Sequence, residues 1–440
     1  MSRQHRTAPA ARSPASDEAT APPPRRPATS SPLRPARGPS VEHQWSLSIC
    51  KVWQLEYPWD VRAEKIARAL TDAGHRVHLL ARNWTRLPER EALPEATVHR
   101  MAPWSWAPPW LDRASMFPAW LNPRWVRLIT RVARRTGSEV ILCRDLPLAV
   151  ASVLAARRLR IPVILDMAEN YPAMFASRHA TGRAKSWGAL VRSPRVARLV
   201  ERWVLPRVDG VLVVVEESRA RLVALGVPAD RIAIVSNTPP LARLDASAAS
   251  HTPGGVLKLV YLGKVEEERG IGTLLEATGL LRAEGCAVAL TVYGHGRDLA
   301  FFQARARALG LEPPAVVFRG RVPNPLALAE LADMHVGVIP HWTDEQINTT
   351  VPNKLFDYMA AGLPVVTADA VPLKRIVESC GCGVVYRARD AADLARALRA
   401  LRDAPARQLA ASRGRAAVRG HYHWERDVDR MLALVASVVA

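Results

Sequence analysis

Lys264 and Arg269 stand five residues apart in GKVEEERG, directly after the apolar run LKLVYLG. Two cations at a strand end, on the approach to the next helix, can clamp a phosphate oxyanion through charge-assisted hydrogen bonds. The same side chains can instead pair with Glu266, Glu267 and Glu268, as surface charges commonly do. The run AVALTVYG ends at Gly294, with Gly296 close behind, and the missing side chains admit either a ligand or a neighbouring backbone. The most informative segment is NTTVPNKLFDYMAAGLPVVTAD at 348–369. Pro352 suits the first helical position, and Gly362 followed by Pro364 ends the helix and turns the chain into a strand. Free amides near Asn353, Lys354 and Leu355, with the helix dipole and the Lys354 charge, suit a diphosphate. Asp357, about one turn further in, suits a pair of ribose hydroxyls, and its plainer role is to complement the helix dipole.

These residues need strands and helices to position them. SLSICKVW, a helix-patterned DVRAEKIARALTDAG and RVHLLAR read as a βαβ unit. Buried-strand runs follow at 139–145, 162–167, 210–217 and 231–237. A second series occupies 257–263, 287–294, 315–320, 335–340, 363–369 and 383–387, alternating with helical stretches. The pattern predicts an α/β protein with two doubly wound, Rossmann-like domains facing a cleft, where ligands bind beyond the carboxyl ends of the strands. The expected boundaries are a Pro/Ala/Arg-rich disordered tail at 1–42, a first domain at 43–240, a linker at 241–255, a second domain at 256–422, and a helix at 423–440 returning to the first domain.

The 440 residues, 49% of them hydrophobic and 23% charged, can bury a large core, which excludes a small disulfide scaffold or wholesale disorder. The net charge of +20 favours polyanionic partners: nucleic acid, anionic lipid or phosphorylated ligands. Nucleic acid ranks last, because the arginines are scattered and no recognition motif accompanies them. Five cysteines at irregular spacing fit free thiols. Cys380 and Cys382 enclose a single residue, too close for a structural zinc pair, so no metal site is expected. No run approaches the roughly 20 apolar residues of a bilayer span, and no apolar signal-peptide core opens the chain, so a cytoplasmic location is expected.

PNKLFDYMAAGLPVV, following the YLGK…RG and VYGHG strand ends, resembles the donor-binding half of family 4 retaining glycosyltransferases with the GT-B fold, in particular the bacterial polysaccharide and lipopolysaccharide enzymes. YPWDVRAEKIARALTDAGHRVHLLARN, ILCRDLPLA and VILDMAENYP resemble the acceptor half of that group, and the resemblance runs from about residue 45 to 440. It implies that Lys264 and Arg269 are the cations on the donor diphosphate, in the order Lys then Arg. It implies that the backbone near Arg321 and Val322 holds the nucleotide base. Asp357 stands for the second Glu of the family's paired-Glu motif. Thr349 stands eight positions earlier, where many members place the first Glu against the sugar. Backbone amides at Thr349 and Thr350, or a carboxylate from Asp344 or Glu345, would then hold the sugar. On the acceptor side the resemblance points to Asp60, Arg62, Asp145 and Glu169. Asp145 and Ala168 mark the region where a common acceptor-domain His is absent.

The implied reaction moves a sugar from a nucleotide diphosphate donor to a lipid-linked or glycan acceptor with retention, using no metal or cofactor. The leaving phosphate takes the acceptor proton. A nucleotide-sugar epimerase or hydrolase, or a non-catalytic nucleotide-sugar-binding subunit, is compatible with the same fold. Residues 104–135 carry five Trp among several Arg, and 177–203 is strongly basic, which suits contact with an anionic membrane surface. Core packing of the rings and solvated arginines are the alternative.

Overall fold

Unbroken runs of β-branched and aliphatic residues become strands buried on both faces, as a parallel sheet covered by helices requires. The computed structural model describes residues 46–58, 60–104, 106–115, 119–180, 192–245, 249 and 255–440. The expected tail at 1–42 lies outside them. Strands β1 (Ser48–Val52), β2 (Arg76–Ala81), β3 (Arg90–Leu93), β4 (Ala96–Arg100), β5 (Val140–Arg144), β6 (Val163–Met167), β7 (Gly210–Val213) and β8 (Ile232–Ile234) form one sheet in the order β3-β4-β2-β1-β5-β6-β7-β8. All its pairs are parallel except β3 with β4. Strands β9 (Leu257–Leu262), β10 (Val288–Tyr293), β11 (Val316–Gly320), β12 (Val336–Ile339), β13 (Val365–Ala368) and β14 (Gly383–Tyr386) form a second, parallel sheet in the order β11-β10-β9-β12-β13-β14. The fold is therefore the expected pair of doubly wound α/β sheets.

The β3–β4 hairpin is not evident in the sequence. REALPEATVHR mixes Arg and Glu with few apolar residues, and its first strand lies at the sheet edge with half-exposed side chains.

Strand order reverses between β1 and β5 in the first sheet and between β9 and β12 in the second. Those two switch points open crevices at the carboxyl ends of the strands. The helix Val61–Asp72 starts at the first crevice: the Asp60 side chain caps it by accepting from the Ala63 amide at 2.7 Å, and Ala63, Ile66, Ala67 and Leu70 seal its inner face.

The helix Trp424–Val439 packs on β7, β8 and Val61–Asp72, and its Met431, Leu434 and Val435 share a core with Ile49, Leu79 and Leu142. The Thr238 hydroxyl donates to Asp427 at 2.6 Å, and Lys65 lies 4.0 Å over the Trp424 ring. Of 241–255, the described part is anchored rather than loose. Leu241–Asp245 forms a 3-10 turn, Leu244 is buried in the same core as Tyr358, Arg243 pairs with Asp357, and the Ala249 amide donates to the Ala361 carbonyl at 2.9 Å.

Candidate active site

The loop after β12 ties the two sheets together. Ser177 donates to Asp344 at 2.7 Å, Gln346 to Glu169 at 3.2 Å, Asn170 to the Thr349 hydroxyl at 3.2 Å, and Ser218 to the Thr349 carbonyl at 2.5 Å. Arg375 adds an ion pair to Glu217 at 2.7 Å. Three adjoining cavities lie between and beside the switch points. One, about 490 Å³, holds Gly263, Lys264, Gly294, Arg321, Val322 and Asn324. A central one, about 410 Å³, is lined by Arg62, Arg144, Glu169, Arg269, His341 and Asn353 among others. The third, about 710 Å³, takes in Lys65, Asn237, Arg243, Asn353, Asp357 and Trp424. Asn324 borders the first and third, and Asn353 the second and third.

Lys264, Arg269 and Lys354 converge on this region, and among the described residues none of the three is ion-paired to a carboxylate. Lys264 is exposed at the end of β9, and Arg269 turns inward with its Nε buried and without a hydrogen-bond partner. Glu268 pairs with Arg297 at 2.7 Å, and among the described residues no ion pair joins Lys264 or Arg269 to the acids of their own turn. Lys354 reaches up from the first turn of its helix to lie 3.9 Å over the Tyr261 ring. Its Nζ occupies the space that Gly263 leaves open, where a Cβ would come within 2.7 Å of it. Such a cluster has the charge to attract an anion.

Several residues depart from their expected places. The helix begins at Lys354 with Asn353 as cap, so Pro352 lies just outside it, and the Leu355 amide is already donated to the Pro352 carbonyl at 3.1 Å. Leu355 itself is fully buried. Its seven-residue helix therefore presents the Lys354 side chain more than a ring of free amides. Gly294 makes room for backbone: at φ +142°, a Cβ there would fall 1.7 Å from the Gly263 carbonyl oxygen. The Thr349 hydroxyl faces inward, donating to the Glu345 carbonyl at 2.9 Å, and Thr350 directs its hydroxyl toward the Ala168 carbonyl at 3.4 Å while lining the central cavity. Asp344 spends one oxygen on the Ile347 amide at 2.8 Å and the other on Ser177, so it caps its turn instead of reaching over the site. Glu345 is exposed.

On the first sheet, Arg62 donates to Asp166 at 2.5 Å and to the Val235 carbonyl and Asn237 at 2.9 Å each. Asp166 is wholly buried, which opposes its charge, yet Arg62, Arg144 and Lys51 hold its carboxyl below the usual range. Arg144 lies 3.2 Å from Asp60 and 3.5 Å from Asp145, and 4.8 Å over the Trp53 ring. Asp145 sits behind Arg144, away from the cavity wall. Burial pushes its carboxyl up to about 7, against the pull of Arg144 and with the help of Asp166 and Glu169. Its backbone is strained, at φ 61° and ψ 165°. Of the four residues expected on the acceptor side, Asp60, Arg62 and Glu169 line the central cavity, and Asp145 stands behind it.

Sequence reasoning overlooked His341, Arg144 and Arg243. His341 and Arg144 sit at strand ends, the place to look in this fold, whereas Arg243 lies in a segment whose small residues disguise its packing. Among the described residues no group of His, Cys, Asp and Glu is arranged to hold a metal ion.

Two family profiles match the chain: one described as a glycosyl transferase 4-like domain, over residues 60–238, and one as glycosyl transferases group 1, over residues 257–403. The glycogen synthase of Mycobacterium tuberculosis is 30% identical over 252 residues, covering 56% of this chain and 57% of its own length. The amylovoran biosynthesis glycosyltransferase AmsK of Erwinia amylovora is 27% identical over 40% of this chain and 43% of its own length. The chain thus spans about half the length of the curated relatives it matches. Sucrose-phosphate synthase from Thermosynechococcus elongatus superposes with a TM-score of 0.71 at 17% identity, covering 89% of this chain and 99% of the other. Anabaena HepE in complex with UDP-glucose gives 0.64 at 15% identity, covering 89% of this chain and all of the other. At these identities the structures share the fold.

Proposed function

The chain belongs to the family 4 glycosyltransferases with the GT-B fold, and on that footing we propose that it moves a sugar, with retention, from a nucleotide diphosphate donor to a glycan or lipid-linked acceptor. The observation that carries this reading is the convergence of Lys264, Arg269 and Lys354 on the cleft with no carboxylate ion-paired to them among the described residues. These cations would neutralise the departing diphosphate, and the preorganised, partly dry site makes that stabilisation large. The base would lie beside Arg321 and Val322, and the ribose near Asp357. Glu169 and Arg144 would face the acceptor from the opposite wall. The acceptor hydroxyl would attack on the face that the phosphate leaves, passing its proton to a phosphate oxygen. No side chain is then needed as base.

Membrane contact belongs to the same proposal. Trp106 and Trp110 are 73% and 69% exposed, and Arg195, Arg198 and Arg202 stand outward on the helix Pro194–Val204 with exposed Leu199. An apolar ring beside arginine suits the headgroup level of an anionic leaflet. Trp120 and Trp125, by contrast, are buried in the core. No helix among the described residues is long and apolar enough to cross a membrane.

The test is incubation of the full chain with labelled nucleotide diphosphate sugars, with and without glycan and lipid-linked acceptors. UDP-sugars lead the panel because HepE holds UDP-glucose. Product that appears only with acceptor, with its anomeric configuration kept, supports transfer. Donor consumed without acceptor points to epimerisation or hydrolysis, and donor bound but never consumed points to a binding subunit.

A further inference from the structure

His341 follows β12 and is buried, 1% exposed, on the wall of the central cavity. Its Nδ1 has no hydrogen-bond partner, and its Nε2 lies 3.5 Å from Lys354 Nζ. Arg269 faces both from the turn after β9. The central cavity that His341 lines also carries Asp60, Arg62, Arg144 and Glu169. β9 contributes the Tyr261 ring under Lys354, its hydroxyl donated to the Lys264 carbonyl at 2.7 Å. The Lys354 helix itself contributes Tyr358, whose hydroxyl accepts from the Leu262 amide at 2.8 Å. Glu266 and Glu268 in the turn act on Tyr261, and Glu268 is paired with Arg297. Among the described residues no carboxylate is ion-paired or hydrogen-bonded to His341, Lys354 or Arg269.

Two nitrogens that both carry positive charge cannot sit 3.5 Å apart in a buried pocket beside a permanent guanidinium. Burial, together with Lys354 and Arg269, holds the imidazole well below its ordinary range, and burial with Arg269 does the same to the Lys354 ammonium. The buried Nδ1 is then a polar atom without a partner, a state that folding leaves only where something else satisfies it.

We propose that His341 and Lys354 form a proton-accepting phosphate subsite, so that a diphosphate enters the central cavity together with a proton that the pair takes from solvent. The ligand's negative charge offsets the burial and repulsion that disfavour the pair's charged forms. The pair then becomes a charged donor set beside Arg269, and the proton is returned to solvent when the diphosphate leaves. This rests on the donor reading given above and adds to it a linkage between donor binding and pH.

The experiment is calorimetry of the full chain at pH 8 with UDP, GDP, ADP, CDP, dTDP and inorganic pyrophosphate, in buffers of differing ionisation enthalpy. The slope of the observed enthalpy against buffer enthalpy counts protons. For whichever of these binds, the expected result is net proton uptake, with affinity falling as pH rises from 8. Lys354→Arg fixes the charge, because a guanidinium keeps its proton, and should bind with the proton uptake and the pH slope both abolished. His341→Asn should reduce the uptake and weaken binding at least about tenfold through the lost charged donor. Binding by the wild type with no proton uptake overturns the subsite and leaves the donor reading intact. Uptake that persists unchanged in both variants also overturns it, by placing the proton elsewhere. Failure of every nucleotide and of pyrophosphate to bind overturns the donor reading and this subsite with it.

Discussion

The Arg243 guanidinium, carried on the turn Leu241–Asp245, closes an ion pair on the Asp357 carboxylate in the helix Lys354–Ala360. Burial raises the Asp357 pKa, and Arg243 and Lys65 pull against it. The proposed ribose acceptor is therefore already held in place by Arg243 before any ligand arrives. Asp357→Ala should weaken donor binding about 10- to 100-fold, the worth of a charged hydrogen bond in a closed cleft. Arg243→Ala should lower stability by about 1–3 kcal/mol yet keep most of the donor affinity, since the carboxylate remains. Titration calorimetry and denaturant unfolding separate the two effects. Unchanged donor affinity in Asp357→Ala would reduce Asp357 to a counterion for Arg243.

Lys264 and Arg269 make different contributions because one is exposed and the other points inward. Each Ala variant should lose about 10- to 150-fold in kcat/KM, with the larger loss at Arg269, whose half-buried side chain is less screened by water than the exposed Lys264. Steady-state kinetics with the donor found in the panel gives the answer. Activity close to wild type in both variants would remove the clamp from the mechanism.

Much of the framework was legible because the apolar runs that become β1, β2 and β5 to β14 are short, continuous and closed by turn residues. The strand-end rule then pointed to Lys264 and Arg269, the helix start to Asp357 and the family resemblance to Arg321, and the four line three adjoining cavities. The remainder depends on contacts between distant segments. Nothing local to Asp344 shows that Ser177, 167 residues earlier, will occupy its carboxylate. Nothing in LARLD shows that Arg243 will meet a carboxylate 114 residues later. The inward turn of Thr349 is likewise set by Asn170 and Ser218 across the cleft. The Trp-rich stretch divides for the same reason, since alternation of Trp with Pro and Arg does not reveal which rings meet a core.

That division sharpens the membrane experiment. Trp120 packs edge-on against Phe175 at 6.2 Å and belongs to the interior, so replacing it would test folding. The double variant Trp106→Ser with Trp110→Ser removes only exposed rings and should release the protein from vesicles containing anionic lipid, with nucleotide binding unchanged. Flotation equal to wild type would assign membrane contact to another surface or to none.

Asp145 offers a test of how the acceptor wall is held. Its carboxyl titrates near 7 in the fold and near the ordinary 3.8 when the chain is unfolded, so between those limits the folded protein binds more protons. The resulting stability is fully present below about pH 4 and is lost as pH rises through about 7. In the variant Asp145→Asn the side chain is neutral at every pH and cannot show that loss, while its amide oxygen can still accept from the Ala168 N–H, which lies 3.2 Å from Asp145 Oδ1. Lys51, buried beneath the same cluster and lowered to about 8, contributes the opposite slope at higher pH, and it is common to both proteins. The difference between wild type and Asp145→Asn therefore isolates the carboxyl. Between about pH 6 and 8 the wild type should lose at least about 1 kcal/mol more than the variant, a pKa unit being worth about that much. Thermal unfolding of both proteins across that range measures it. Parallel curves would mean that Asp145 is ionised throughout and that Arg144 alone compensates its burial.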